Sequence, residues 1–253
     1  MQTEKIRTET ERILRTETER FRSYVRSARS RIRNSAYAMR ARPAEDAAVK
    51  ALRSQMRGEV LTPVHPDYEQ ARRVWNAMID RRPLMIARCA GTADVLRAVR
   101  FARELTVPVS VRGGGHNITG NAVCDGGFMI DLSAMKAVNV NQQKQRAWAG
   151  PGASLGDVDH ETQAFGLAVP TGINSTTGIA GLTLGGGFGW LSRKHGLTID
   201  NLTAAEVVTA DGEKLHASEN ENADLFWAVR GGGGNFGIVT NFEFQLHPVG
   251  PGI

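Results

Sequence analysis

Cysteine is almost missing from this 253-residue chain. Only Cys89 and Cys124 occur, too few for a disulfide framework and without metal-ligand spacing, so no metal site is expected. No apolar run approaches the ~20 residues that a membrane helix requires. The N-terminus also lacks the apolar stretch of a secretory leader, so a cytoplasmic protein without a membrane span is expected. Tyrosine is scarce too: Tyr24, Tyr37 and Tyr68 are the three. The net charge of +5 resides in the head. Residues 1–42 carry twelve basic and five acidic residues, whereas the rest carries nineteen basic and twenty-one acidic. The body is therefore near neutral, and no nucleic-acid partner is expected.

Glycine, by contrast, is abundant, at 28 residues, and clustered. The first cluster is Val111-Arg112-Gly113-Gly114-Gly115-His116-Asn117, behind a short apolar run from Val107 that reads as a buried strand. Three bare glycines let successive N–H groups close on an anion without Cβ obstruction, and Arg112 is placed to clamp phosphate oxygens. Taken alone, the cluster is equally a tight turn with a surface histidine. Further glycine-rich stretches run from Pro170 to Gly181, from Gly185 to Gly189, and from Arg230 to Val239.

Periodicity supplies the frame. Residues 1–42 repeat Arg-Thr-Glu-Thr-Glu-Arg and alternate apolar positions at helical spacing, which reads as a basic helical extension. Ala44–Arg57 predicts a second short helix. Helical spacing from Tyr68 to Met78 puts Tyr68, Ala71, Val74, Trp75 and Met78 on one side. Leu84–Ala87 reads as a strand and Thr92–Leu105 as an amphipathic helix with Val95, Val99 and Ala102 inward. Strands follow at Phe128–Leu132 and as a hairpin around Gln142–Gln145. Ser154 to Asp157 has capping-box spacing and opens a helix. A short helix is expected from Thr177, a helical turn over 190–195, a hairpin around Ala210–Glu213, a helix over 222–229 and a long strand over 237–246.

Two readings are removed by context. Gly232-Gly-Gly-Asn-Phe-Gly237 satisfies G-x-G-x-x-G, but a helix precedes it and a strand follows, the reverse of a dinucleotide-binding fingerprint. No glycine loop continues into Gly-Lys-Ser/Thr, which removes a P-loop. His160, His195, His216 and His247 are scattered and read as surface or satisfied histidines.

Together the four glycine stretches resemble the FAD-binding domain of the vanillyl-alcohol oxidase and p-cresol methylhydroxylase superfamily, in its berberine-bridge-enzyme-like branch, over about 59–248. The resemblance implies an α+β fold: a two-subdomain FAD-binding domain of the p-cresol methylhydroxylase type with an N-terminal helical extension. The division it implies is 1–42 extension, 43–136 first subdomain, 137–248 second subdomain and 249–253 tail, the substrate domain being absent.

It further implies FAD as cofactor, with His116 as the covalent attachment point. The cofactor-binding set carried over is Arg112, Gly113, Gly114, Gly115, His116, Asn117, Gly120, Thr171, Gly172, Asn174, Thr176, Thr177, Gly178, Gly181, Gly186, Gly187, Ile238 and Val239. Several relatives carry a second covalent anchor, a cysteine, where this chain has Asn174, so single-point attachment is expected. The implied activity is oxidation of a small organic substrate (an alcohol, an amine or an activated C–H) with oxygen as acceptor. The alternative is a non-catalytic flavin-binding fragment or subunit that needs a substrate domain in trans. No catalytic base is identified.

Overall fold

The elements fall into two runs, each closing around its own sheet. The computed structural model describes residues 42–105 and 107–250. The first run comprises helix α1 (Arg42–Gln55), strand β1 (Glu59–Leu61), helix α2 (Tyr68–Ala71), β2 (Met85–Arg88), α3 (Thr92–Glu104), β3 (Val109–Arg112) and β4 (Phe128–Asp131). The second comprises β5 (Val138–Asn141), β6 (Arg146–Ala149), α4 (Leu155–Gln163), β7 (Leu167–Ala168), α5 (Ile179–Leu184), α6 (Ser192–His195), β8 (Leu202–Val208), β9 (Lys214–Ser218), α7 (Ala223–Gly232), β10 (Ile238–Gln245) and β11 (His247–Pro248). The basic extension expected over 1–42 lies, but for Arg42, outside the described residues.

The first sheet has the order β1-β2-β4-β3, with β2, β4 and β3 parallel and β1 antiparallel. Its two central strands are apolar up to their last residues, Arg88 and Asp131, because both faces are covered. Met85, Ala87, Phe128 and Ile130 face α1 and α3 with Val95, Ala98 and Val99. Ile86 and Met129 face Leu61, Tyr68, Ala71 and Val123 on the other side. The expectation of a buried strand before the glycine loop is corrected here. β3 is an edge strand with Val109 and Val111 exposed, because only β4 pairs with it.

The second sheet, β5-β6-β10-β8-β9, is antiparallel throughout. Ala147, Ala149, Ala205, Val207, Phe242 and Phe244 pack beneath α4, α5 and α7 through Leu155, Val158, Ile179, Phe226 and Val229. Small alanines opposite phenylalanines let the helices approach the sheet closely. α3 ties the two sheets together. It packs on β8 and β10 as well as β4, and Arg100 and Arg103 donate to the carbonyls of Gly212 and Asp211 in the β8–β9 turn. The small β7–β11 pair and β1 had no signal in the sequence.

Most of the periodic segments form as their spacing predicts, including the β5–β6 and β8–β9 hairpins and the Ser154–Asp157 capping box. The helix read across 68–78 does not. Only α2 forms, leaving Trp75 and Met78 exposed. Continuing the helix would pair the Ala71 carbonyl with the Trp75 N–H. Instead the Arg112 guanidinium takes that carbonyl and the one on Arg73, while the Trp75 N–H donates to Gly115. Captured by tertiary partners, the backbone has none left for a second turn.

Candidate functional site

The residues from Arg112 to Asn117 leave the C-terminal end of β3 between two walls of protein. The outer wall is 71–81. Trp75 donates its N–H to the Gly115 carbonyl, the Asn76 amide to Ile118, and Arg81 to Gly120 and Val123. Gly115, with φ +73, turns the chain beneath Val74. Gly120 is buried on Ile79, where a Cβ would lie 2.7 Å from the isoleucine side chain.

The inner wall is made of Pro151 and the loop 174–180. A Cβ on Gly113 would stand 2.7 Å from the Pro151 oxygen, and one on Gly114 would stand 2.5 Å from the Cα of Gly178. The reverse holds as well, since a Cβ on Gly178 would meet Gly114 at 2.6 Å. The two loops therefore interlock backbone to backbone, which no other residue type permits. Thr177 and Gly178 are fixed in turn on the start of α4, where Leu155 donates to Thr177 and Ser154 pairs with Gly178. That bridge is why α5 begins at Ile179 rather than at the expected Thr177.

Within this cleft the His116 ring lies on the Trp75 indole at 5.2 Å and 21°. Partial burial lowers its pKa below the ordinary value by more than the neighbouring Thr176 backbone raises it, which favours the neutral ring. Asn174 orders the loop opposite by accepting from the Thr176 N–H and hydroxyl at 3.1 and 2.9 Å. Asn117 does the same for its own turn, accepting from Thr119 and the Asn121 N–H.

Arg112 differs from its expected part. Its guanidinium bonds Asp131 through Nε and Nη2 at 3.0 and 2.6 Å, and the carbonyls of Ala71 and Arg73 through Nη1 at 2.6 and 2.9 Å. Asp131 is fully buried. The side chain is thus occupied inside the protein, holding β3, β4 and the 71–73 segment together, and no donor is left over for a phosphate clamp. By contrast, among the described residues no acceptor meets the main-chain N–H groups of Gly113, Gly114, Gly115, His116 and Asn117. Five successive free donors beside one neutral imidazole suit an anionic, ring-bearing ligand.

The other sequence-predicted residues lie around this cleft or behind it. Gly181, on α5, would carry a Cβ with no atom within 4 Å, so packing of the chain against itself does not require glycine there. Thr171 is buried and Gly172 rests on Leu155 and Leu182. Gly186 and Gly187, with φ +114 and +74, turn against Leu197 and Thr198. α5 also touches α7 and the turn Gly233–Phe236 after it, which brings the last glycine stretch alongside. Ile238 and Val239 begin β10, paired with Val208 and Val207 and packed in the two cores. The order helix, turn, strand here is the reverse of the dinucleotide-binding fingerprint.

Sequence reasoning missed two arrangements. Trp75 stood as a helix-face residue, and only the capture of its N–H by Gly115 brings it to His116. The histidines also find partners. His195 stacks on His247 at 3.9 Å, and His247 Nε2 lies 2.6 Å from Asn201 Oδ1. His216 Nδ1 lies 3.0 Å from Glu206, and exposed His160 sits beside Glu161. Tyr68 is structural: its hydroxyl donates to Pro83, and burial pushes its pKa up to about 12. Cys89 is buried with its thiol pKa pushed up, and among the described residues no cluster of metal-ligating side chains occurs.

Comparison with known proteins places this geometry. The profile of the FAD binding domain family matches residues 83–218. (R)-6-hydroxynicotine oxidase of Paenarthrobacter nicotinovorans is 42% identical over 192 residues, 76% of this chain and 42% of that protein. Wild-type BBE-like 1 of Physcomitrella patens superposes with a TM-score of 0.75 at 32% identity, covering 79% of this chain and 44% of that one. Glucooligosaccharide oxidase of Acremonium strictum, described with a 6-S-cysteinyl, 8α-N1-histidyl FAD, gives 0.74 at 35%, covering 79% and 42%. The chain spans less than half the length of each of these relatives.

Proposed function

Because this chain belongs to the FAD binding domain family, in its p-cresol methylhydroxylase and berberine-bridge-enzyme-like type, we propose that it forms the cofactor-holding part of an FAD-dependent oxidase, with the flavin linked covalently through His116. The substrate is a small organic molecule bearing an alcohol, an amine or an activated C–H, and dioxygen is the acceptor. The observation that carries this reading is the place of His116 where the glycine loops interlock, in a run of main-chain N–H groups that no acceptor meets among the described residues. A bound flavin supplies the hydride acceptor, which no side chain can. The chain itself supplies position: the free N–H groups of 113–117 receive negative charge, the interlocked glycines allow close approach, and His116 offers a neutral ring nitrogen.

Purification of the full chain, acid precipitation and a spectrum of the pellet test the link. Flavin colour that stays with the pellet is expected, on a single proteolytic peptide containing His116 and none containing Asn174, which cannot form a thioether. Colour lost entirely to the supernatant would overturn the covalent reading.

A second reading is favoured by the surface. Ile173, Phe188, Trp190 and Trp227 are between 68% and 84% exposed, large apolar side chains of the kind that a covering domain would bury. In this reading the unit binds flavin and turns over only when a substrate domain covers that surface. Peroxide release by the monodisperse chain against a panel of alcohols, amines and sugars separates the two.

A further inference from the structure

The sequence assigned Trp75 to a helix face, yet it lies 62% exposed in a bend with its indole stacked on His116. Nothing in the core requires it there, since the apolar residues packed against Leu61, Tyr68 and Ile86 include Val74 and Ile79 but not Trp75. Its main-chain N–H is tied to the Gly115 carbonyl, one residue before the histidine. Backbone and side chain thus both address the His116 segment. A large aromatic left in solvent forfeits most of what burial would contribute, so its location calls for a reason other than packing.

We propose that Trp75 is a positioning residue for His116: its indole sets the plane of the imidazole and, with the plane fixed, one tautomer is held with the remaining nitrogen free. This rests on the reading of His116 as the flavin anchor. Joining that nitrogen to the methyl carbon of the flavin's benzenoid ring would form a C–N bond, break one methyl C–H bond and release the proton carried by the other ring nitrogen. The two protons and two electrons released go to dioxygen, the acceptor already named, as hydrogen peroxide. Such a bond forms only when the free nitrogen and the methyl carbon are brought into line, and a ring free to rotate about its side-chain bonds seldom presents that geometry. Stacking fixes the ring plane, and a fixed plane keeps each ring nitrogen with one set of neighbours, which selects the nitrogen that carries the proton.

The test compares wild type with Trp75→Ala, Trp75→Leu and Trp75→Phe in the full chain, produced under riboflavin depletion and then supplied with FAD. Two readouts are independent of turnover. Imidazole nitrogen NMR of the apoprotein reports the His116 tautomer and the ring-current shift from the indole. Acid-stable flavin against time reports bond formation. The expected result is a single tautomer in wild type, tautomer exchange in the Ala and Leu variants, and accumulation slowed on the order of tenfold in both. Trp75→Phe, which keeps an aromatic face, recovers both, and the dissociation constant for FAD before bond formation is unchanged throughout. Leu retains apolar bulk without a face, so it separates stacking from packing.

Unchanged tautomer and rate in the Ala and Leu variants would overturn the proposal. So would a weaker FAD affinity with an unaltered tautomer, which would show that Trp75 acts on the cofactor. If wild type gains no acid-stable flavin while Trp75→Ala still loses the tautomer, the positioning role stands and the covalent reading of His116 falls.

Discussion

Two stretches of this chain read almost alike: Arg112 with three glycines, His116 and Asn117, and Arg230 with four glycines, Asn235 and Phe236. In the folded molecule they are opposites. The first is enclosed, Gly113 and Gly114 required by backbone lying 2.5–2.7 Å from where a Cβ would stand, and its arginine bonded at every nitrogen. The second is open. Gly231, Gly233 and Gly234 would carry a Cβ with no atom within 4 Å. Arg230 lies over the Phe226 ring at 4.7 Å with its buried Nε unpartnered. Composition alone therefore does not say whether a glycine-rich loop is shaped by the chain packing on itself or left free to meet something else.

The arginines give the largest contrast. Arg112→Met leaves the fully buried Asp131 carboxylate with only the Ser133 N–H and a longer contact to Arg88 at 3.5 Å. Stranding a buried charge costs about 3–5 kcal/mol, and denaturant unfolding should show a loss of that size. Arg230→Met removes a cation–π contact and an unsatisfied nitrogen, effects of opposite sign, so its change should stay within about 1 kcal/mol. Equal losses in the two variants would mean that Arg230 has a partner as binding as Asp131 is for Arg112.

The glycines come next. Gly114→Ala drives a methyl group into the Gly178 backbone, and neither loop can yield without breaking the bridge to Ser154. Overpacking of this kind costs about 1–3 kcal/mol. Gly234→Ala meets nothing and has no positive φ, so thermal unfolding should move by no more than about 0.5 kcal/mol, in either direction. A stable Gly114→Ala protein would break the claim that the loops interlock.

Strong local signals were legible in advance. The alternation in β10, the turn residues of both hairpins, the Ser154 cap and the periodicity of α3 all describe interactions within a few residues. What was illegible depends on distant partners. Arg112 carried the right residue type for a phosphate clamp, and only the placement of Asp131 on the neighbouring strand reveals that it is engaged. Trp75 had good helical spacing, which lost to an arginine and a glycine carbonyl some forty positions on. The glycine stretches pointed to the site as a group, while the interlock of Gly114 with Gly178 could not be seen in either stretch.

A small expected change in stability also belongs to the residue with the largest chemical consequence. His116 is partly buried in a loop and contributes one exposed stack, so His116→Ala should cost under about 1 kcal/mol near neutral pH. Its pKa in the folded chain is lowered from 6.5, burial outweighing the effect of the Thr176 backbone. Between the folded and unfolded values the unfolded chain holds more protons, so this contribution to wild-type stability rises with pH through that interval and is complete above 6.5. In the alanine variant it is absent. Unfolding followed from pH 5 to pH 8 should therefore show the two proteins converging toward acid and separating slightly toward neutrality. The same variant should surrender all its flavin to the supernatant on acid precipitation. A large loss of stability with flavin retained in the pellet would invert the comparison, making the enclosed loop a structural element and placing the anchor elsewhere.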